Sequence, residues 1–148
     1  MAFMRMNKLD EKVFLNVDLE IFSKSDLKPL AVALRRNLDP HYLGMEFGKH
    51  KAYFDLLKQP KTPDAGIIRY CKLIQKLPPD QRKLWDSAES RSFDIGFEGP
   101  KKGRYYWSAV GADAIRAAAE VGAQIAITIY GSMKVAKQTK KKRAAQDK

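Results

Sequence analysis

Residues 13–22 read Val-Phe-Leu-Asn-Val-Asp-Leu-Glu-Ile-Phe. Val13, Leu15, Val17, Leu19 and Ile21 alternate strictly with Phe14, Asn16, Asp18, Glu20 and Phe22. Period two is the pattern of a strand with one buried face, so a sheet has to be part of the fold. Immediately downstream the period changes. Leu27, Leu30, Ala31, Leu34 and Leu38 follow the i, i+3, i+4, i+7, i+11 spacing of one helical face, with Ser25 or Asp26 placed to cap and Pro29 in the first turn.

The same two periods recur further along. Thr62-Pro63-Asp64 is a helix start, a capping hydroxyl followed by a proline whose missing N–H costs nothing there. Ile67, Tyr70, Cys71, Ile74 and Leu77 then share a face until Pro78 and Pro79 end the run, and a short helix with Leu84 and Trp85 follows through Ala88. Phe93, Ile95 and Phe97 alternate with Ser92, Asp94, Gly96 and Glu98. The turn-rich residues 99–103 lead to 104–110, which read as a second strand of a hairpin. Residues 112–121 are an alanine-rich helix ending at Gly122, and Ile125, Ile127 and Ile129 alternate with Gln124, Ala126, Thr128 and Tyr130. Residues 41–60, punctuated by Gly44 and Gly48, fit a short strand or a helical turn equally.

With 41–90 set aside, the order is strand, helix, strand, strand, helix, strand. The expectation is an α+β, ferredoxin-like βαββαβ antiparallel sheet with a helical insertion at about 41–90, between the first helix and the second strand. Its first strand would lie between the strand at 104–110 and the last one, with both framework helices on one face.

The chain of 148 residues is sized for one core, expected over residues 1–131, and its 45% hydrophobic and 30% charged content is that of a globular protein. Of the net +11, residues 132–148 carry +6, which leaves a mildly basic body and a basic tail with few large apolar residues, expected to be disordered. The first ten residues lack the apolar run of a secretory signal, and residues 121–130 are too short to span a bilayer. A lone cysteine, Cys71, excludes an internal disulfide. Together these point to a cytoplasmic protein that does not engage a membrane.

Two constellations stand out. On the first, the polar sheet face would carry Asp18 and Glu20, with Asp94 and Glu98 on the outer strand, alongside Asn16, Thr128 and Tyr130. Crowded carboxylates raise one another's pKa and can act as an acid/base pair or hold a hard cation, although an ordinary solvated face has the same composition. On the second, Lys101, Lys102, Arg104, Tyr105, Tyr106 and Trp107 combine cations with aromatics, and Lys140, Lys141, Lys142 and Arg143 add a cationic run. Bases could stack on such aromatics while the cations contact phosphates, but aromatics in strands more often pair and plug cores.

His41 and His50 match no metal-binding spacing, and Cys71 on an apolar helix face is a small hydrophobe rather than a nucleophile. No nucleotide-binding glycine motif, metal site or cofactor is indicated. No nucleophile, base and orienting group occur together, so the reading is a non-catalytic module that binds another protein, through the 41–90 segment and the open sheet face or edge. The alternatives are a nucleic-acid binder using the tail and the aromatic hairpin, with weak and non-specific affinity through the tail, and an enzyme built on the sheet-face carboxylates.

Overall fold

A computed structural model describes residues 13–99 and 102–131. Within them the chain is α+β, a five-stranded mixed sheet with four helices. In chain order the elements are β1 (Phe14–Ser23), α1 (Lys28–Leu34), β2 (Leu38–Glu46), β3 (Lys49–Leu56), α2 (Pro63–Gln75), α3 (Pro79–Asp86), β4 (Ser90–Glu98), α4 (Ala112–Glu120) and β5 (Gln124–Tyr130). The strand order is β2-β3-β1-β4-β5, antiparallel throughout except for the parallel β4–β5 pair. Among the described residues no helix is long and apolar enough to cross a membrane.

The alternation of residues 13–22 does make β1 the central strand, but its neighbours are β3 and β4. Val17, Leu19 and Ile21 are fully buried on one face, and all four helices send residues into the same cluster: Leu30 and Leu34, Ile67 and Ile74, Trp85, Ala114 and Ala118. Tyr70 stacks on Phe93 at 5.3 Å between ring centroids, and its hydroxyl donates to the Val17 carbonyl at 2.8 Å, beyond the end of the β1–β3 ladder. A buried acceptor that the sheet leaves unpaired is thus satisfied by a side chain of α2. Helix α2 is capped by Thr62, whose hydroxyl accepts from the Ala65 N–H. Its close approach to β1 requires Gly66, because a Cβ there would lie 2.9 Å from Val17 Cγ2 and 3.0 Å from Pro60 Cγ.

The 41–90 segment is not an insertion. It supplies most of β2, the whole of β3, and α2 and α3, and β3 pairs directly with the central strand. The helix expected to reach Leu38 stops at Leu34, and Leu38 is buried as a strand residue opposite Leu56. The β2–β3 hairpin turns on Phe47 and Gly48, both at positive φ (55° and 75°), the geometry of a tight two-residue connection. Gly48 marks this turn in the sequence, but phenylalanine is unusual at positive φ, so Phe47-Gly48 lacks the Asn-Gly or Asp-Gly signature of a hairpin.

Residues 104–110 are not a strand. Both edges of β4 are already occupied, by β1 and by β5, so no ladder is open to them. The segment instead crosses from β4 to α4 outside the sheet, with Tyr106 packed on Phe97 at 5.4 Å. The basic tail from 132, including Lys140 to Arg143, lies outside the described residues, as do Lys101 and the first twelve residues.

Candidate functional site

The sheet face away from the helices gathers some of the predicted carboxylates and separates others. Asp18 and Asp94 are direct cross-strand partners on β1 and β4. Glu20 stands two residues along β1, opposite Ser92 and Tyr53, and Glu98 lies at the far end of β4 beside Tyr130. The four share a face and not a point. Among the described residues, no three His, Cys, Asp or Glu side chains are placed to hold a metal ion.

Asp18 is the unusual group, a carboxylate only 5% exposed. Tyr53 on β3 donates its hydroxyl to Oδ2, and Asn16 Nδ2 donates to Oδ1 at 3.0 Å. Burial pushes the Asp18 carboxyl above its ordinary range and outweighs the Tyr53 hydrogen bond, with Asp55 and Asp94 adding like-charge repulsion. Asp94 accepts from the Thr128 hydroxyl at 2.8–2.9 Å. His41 Nε2 sits 3.3 Å from Asp55 Oδ2, so β2 and β3 extend the network across the sheet. Sequence alternation found Asp18, Asp94, Asn16 and Thr128, but not Tyr53 and Asp55, which alternate with the buried Ala52, Phe54 and Leu56 over too short a run of β3 to stand out beside Gly44 and Gly48, nor His41 on the largely exposed β2. Each of these groups is engaged by a neighbour and Asp18 is closed to solvent, which is the arrangement of a satisfied polar network rather than of an acid and base aimed at a substrate.

Cys71 is buried, and burial pushes its thiol up to about 11, as expected for a small core side chain.

The other constellation lies on the opposite side of β5. Strand β5 is the last in the sheet and carries no charged residue. Ile127 and Ile129 point to the helix side, yet they are 62% and 70% exposed because the helices do not extend over this end. They form one wall of an apolar groove of about 450 Å³, closed by Val13, Phe97 and Val110 and by the 104–110 segment through Tyr105 and Tyr106. That volume is in the roughly 300–1,000 Å³ range of ligand-binding clefts. Arg104 is exposed and lines the same groove, while Lys102 is exposed nearby in sequence and Trp107 is 57% exposed. The aromatic and cationic residues read as a hairpin platform are therefore the flank of a groove, with Tyr106 turned inward onto Phe97.

Arg91, which no local pattern singles out, holds together the other end of β4 and β5, away from the groove. Its guanidinium donates to the carbonyls of Trp85, Asp86, Ala88 and Gly122 at 2.9–3.1 Å, and Trp85 Nε1 donates to the Val121 carbonyl at 2.7 Å. These bonds join the end of α3 to the turn that launches β5.

No protein-family model, curated protein or solved structure matches the chain.

Proposed function

We propose that this chain is a non-catalytic protein-binding module that receives an extended segment of its partner alongside β5. The observation that carries the reading is the uncharged edge of β5, unpaired among the described residues, beside an apolar groove. An edge strand has a row of unpaired backbone N–H and C=O groups, and natural sheets usually blunt such an edge with charge, proline or a bulge. Main-chain hydrogen bonds along the edge would supply affinity, and the groove would select alternate side chains of the added strand.

The same reading takes the first four strands as a ferredoxin-like unit. Its support is the succession β1-α1-β2-β3-α2-β4, with β1 between β3 and β4 and every pair antiparallel. Helix α3 is then an addition before β4, and α4–β5 is an arm that places a parallel strand, and hence the open edge, beyond β4.

The test is site-specific cross-linking in native cells with Ile129 replaced by benzoylphenylalanine, and with Leu43 on β2 replaced as the control. A discrete protein adduct from position 129 and none from 43 is expected. Equal adducts from both positions, or none from 129, would overturn the reading.

A further inference from the structure

The groove beside β5 has a chemistry of its own. Its floor and walls are aliphatic and aromatic: Val13, Phe97, Tyr106, Val110, Ile127 and Ile129. The two isoleucines are separated by one residue on the same face, so a strand laid along β5 would turn every second side chain toward this groove. Among the described residues, two charged ones line it. Glu98 is already engaged, whereas Arg104 is exposed and makes no hydrogen bond or ion pair among the described residues. The whole chain carries +11, so long-range attraction favours an anionic partner and opposes a second copy of the chain.

Resting on the strand-addition reading, we infer that the segment bound at β5 is an acidic extended peptide, with apolar side chains two residues apart packed on the exposed Ile127 and Ile129 and a flanking carboxylate on the same face paired with Arg104. The apolar residues anchor the peptide, and the guanidinium reads the carboxylate through a charge-assisted hydrogen bond. A compact apolar molecule would fill the groove but leave the β5 backbone unpaired. A basic peptide would leave Arg104 facing a like charge.

The full-length chain is titrated by fluorescence anisotropy with fluorescein-labelled Asp-Thr-Val-Thr-Val-Thr-Asp, whose valines and end carboxylates share one face in either strand direction. The comparison probes are the Asn-ended and Lys-ended versions and an Asp-ended version N-methylated at alternate amides. The Asp-ended probe should bind at least tenfold more tightly than the Asn-ended one, with the gap narrowing as salt rises. In the Arg104→Glu variant the preference should pass to the Lys-ended probe, with an unchanged melting temperature confirming that the variant is folded. Equal binding of Asp-ended and Asn-ended probes, or a preference unaffected by Arg104→Glu, overturns the acidic-segment inference and leaves strand addition standing. If the N-methylated probe binds as well as its parent, or no probe binds at all, the strand-addition reading falls with it.

Discussion

The two edges of the sheet differ in almost every feature that governs strand pairing. Strand β2 carries Asp39, Pro40, His41 and Glu46, and its register slips between Pro40 and Tyr42 where it pairs with β3. Charge, a proline without an N–H and a local irregularity each obstruct a further strand. Strand β5 has none of these: seven residues without charge or proline, in unbroken register with β4, and with isoleucines exposed toward the groove. Exposed apolar residues occur on both edges, Leu43 and Met45 on β2 among them, so apolar exposure alone does not separate the two. The difference lies in whether the backbone is open to a partner. Among the described residues, one edge carries the features that end a sheet and the other carries none of them.

The largest effect that can test this contrast comes from the clamp at the root of β5. Arg91→Ala removes bonds to four carbonyls and the cation over the Trp85 ring, and it should lower unfolding free energy by about 3 kcal/mol, read from urea denaturation. Hydrogen exchange should then accelerate most in residues 121–126 and least in β2. Equal acceleration at both edges would mean that they open as one unit and would remove the distinction between them.

A second change acts on the edge itself. Ile127→Lys should weaken binding of the Asp-ended peptide about thirtyfold, or about 2 kcal/mol, whereas Leu43→Lys on β2 should change it less than twofold. Comparable losses from the two substitutions would assign binding to general apolar exposure and not to the open edge.

The centre of the sheet provides a control in which stability moves and binding does not. Asp18 faces Asp94 across the strands, a like-charge pair that costs stability when both are ionised. Asp18→Asn should therefore stabilise the fold by about 1 kcal/mol at pH 7 while leaving peptide affinity unaltered. Because the folded-state pKa of Asp18 is raised above its ordinary 3.8, the native state holds the proton more tightly than the unfolded chain. Its contribution is thus greatest below that value and is lost as pH rises through the higher folded-state value. The substitution should remove this downward component from a plot of denaturation midpoint against pH, and a curve of unchanged shape would show that Asp18 does not titrate as argued.

The smallest expected effect is on self-association. Replacing Asp39 and Glu46 with Thr and Pro40 with Val strips β2 of its obstructions, and sedimentation velocity should detect a modest concentration-dependent dimer absent from the parent chain. If the altered chain stays monomeric at high concentration, the charges and the proline are not what closes that edge.

Part of this architecture was legible from local pattern. The alternation in 13–22 and 124–130 identified two strands, and it gave the buried side of β1 from Val17 to Ile21, while Leu15 and the isoleucines 127 and 129 expected inside are not buried; the Thr62-Pro63 cap with its apolar stripe located α2, because side-chain period and capping chemistry depend only on nearby residues. Alternation also put Asp18, Asp94 and Thr128 on a common face. It could not locate β2 and β3, since β2 is an edge strand buried at little more than Leu38, and its pattern of exposure carries no period to read. It mistook 104–110 for a strand because its aromatic residues favour strands, whereas pairing depends on a free ladder position, which β1 and β5 had taken.

The sequence by itself determined which residues face inward along each well-patterned element. Only the tertiary structure decided which strands are neighbours, that Arg91 reaches four carbonyls around the β5 turn, and that Ile127 and Ile129 stand at an uncovered edge instead of in the core. The physical reason is that periodicity reports the side of a strand that avoids water, while strand order follows from long-range packing that joins residues far apart in the chain. For β5 that packing leaves a face with the periodicity of a core strand exposed beside a ladder position that no described residue occupies.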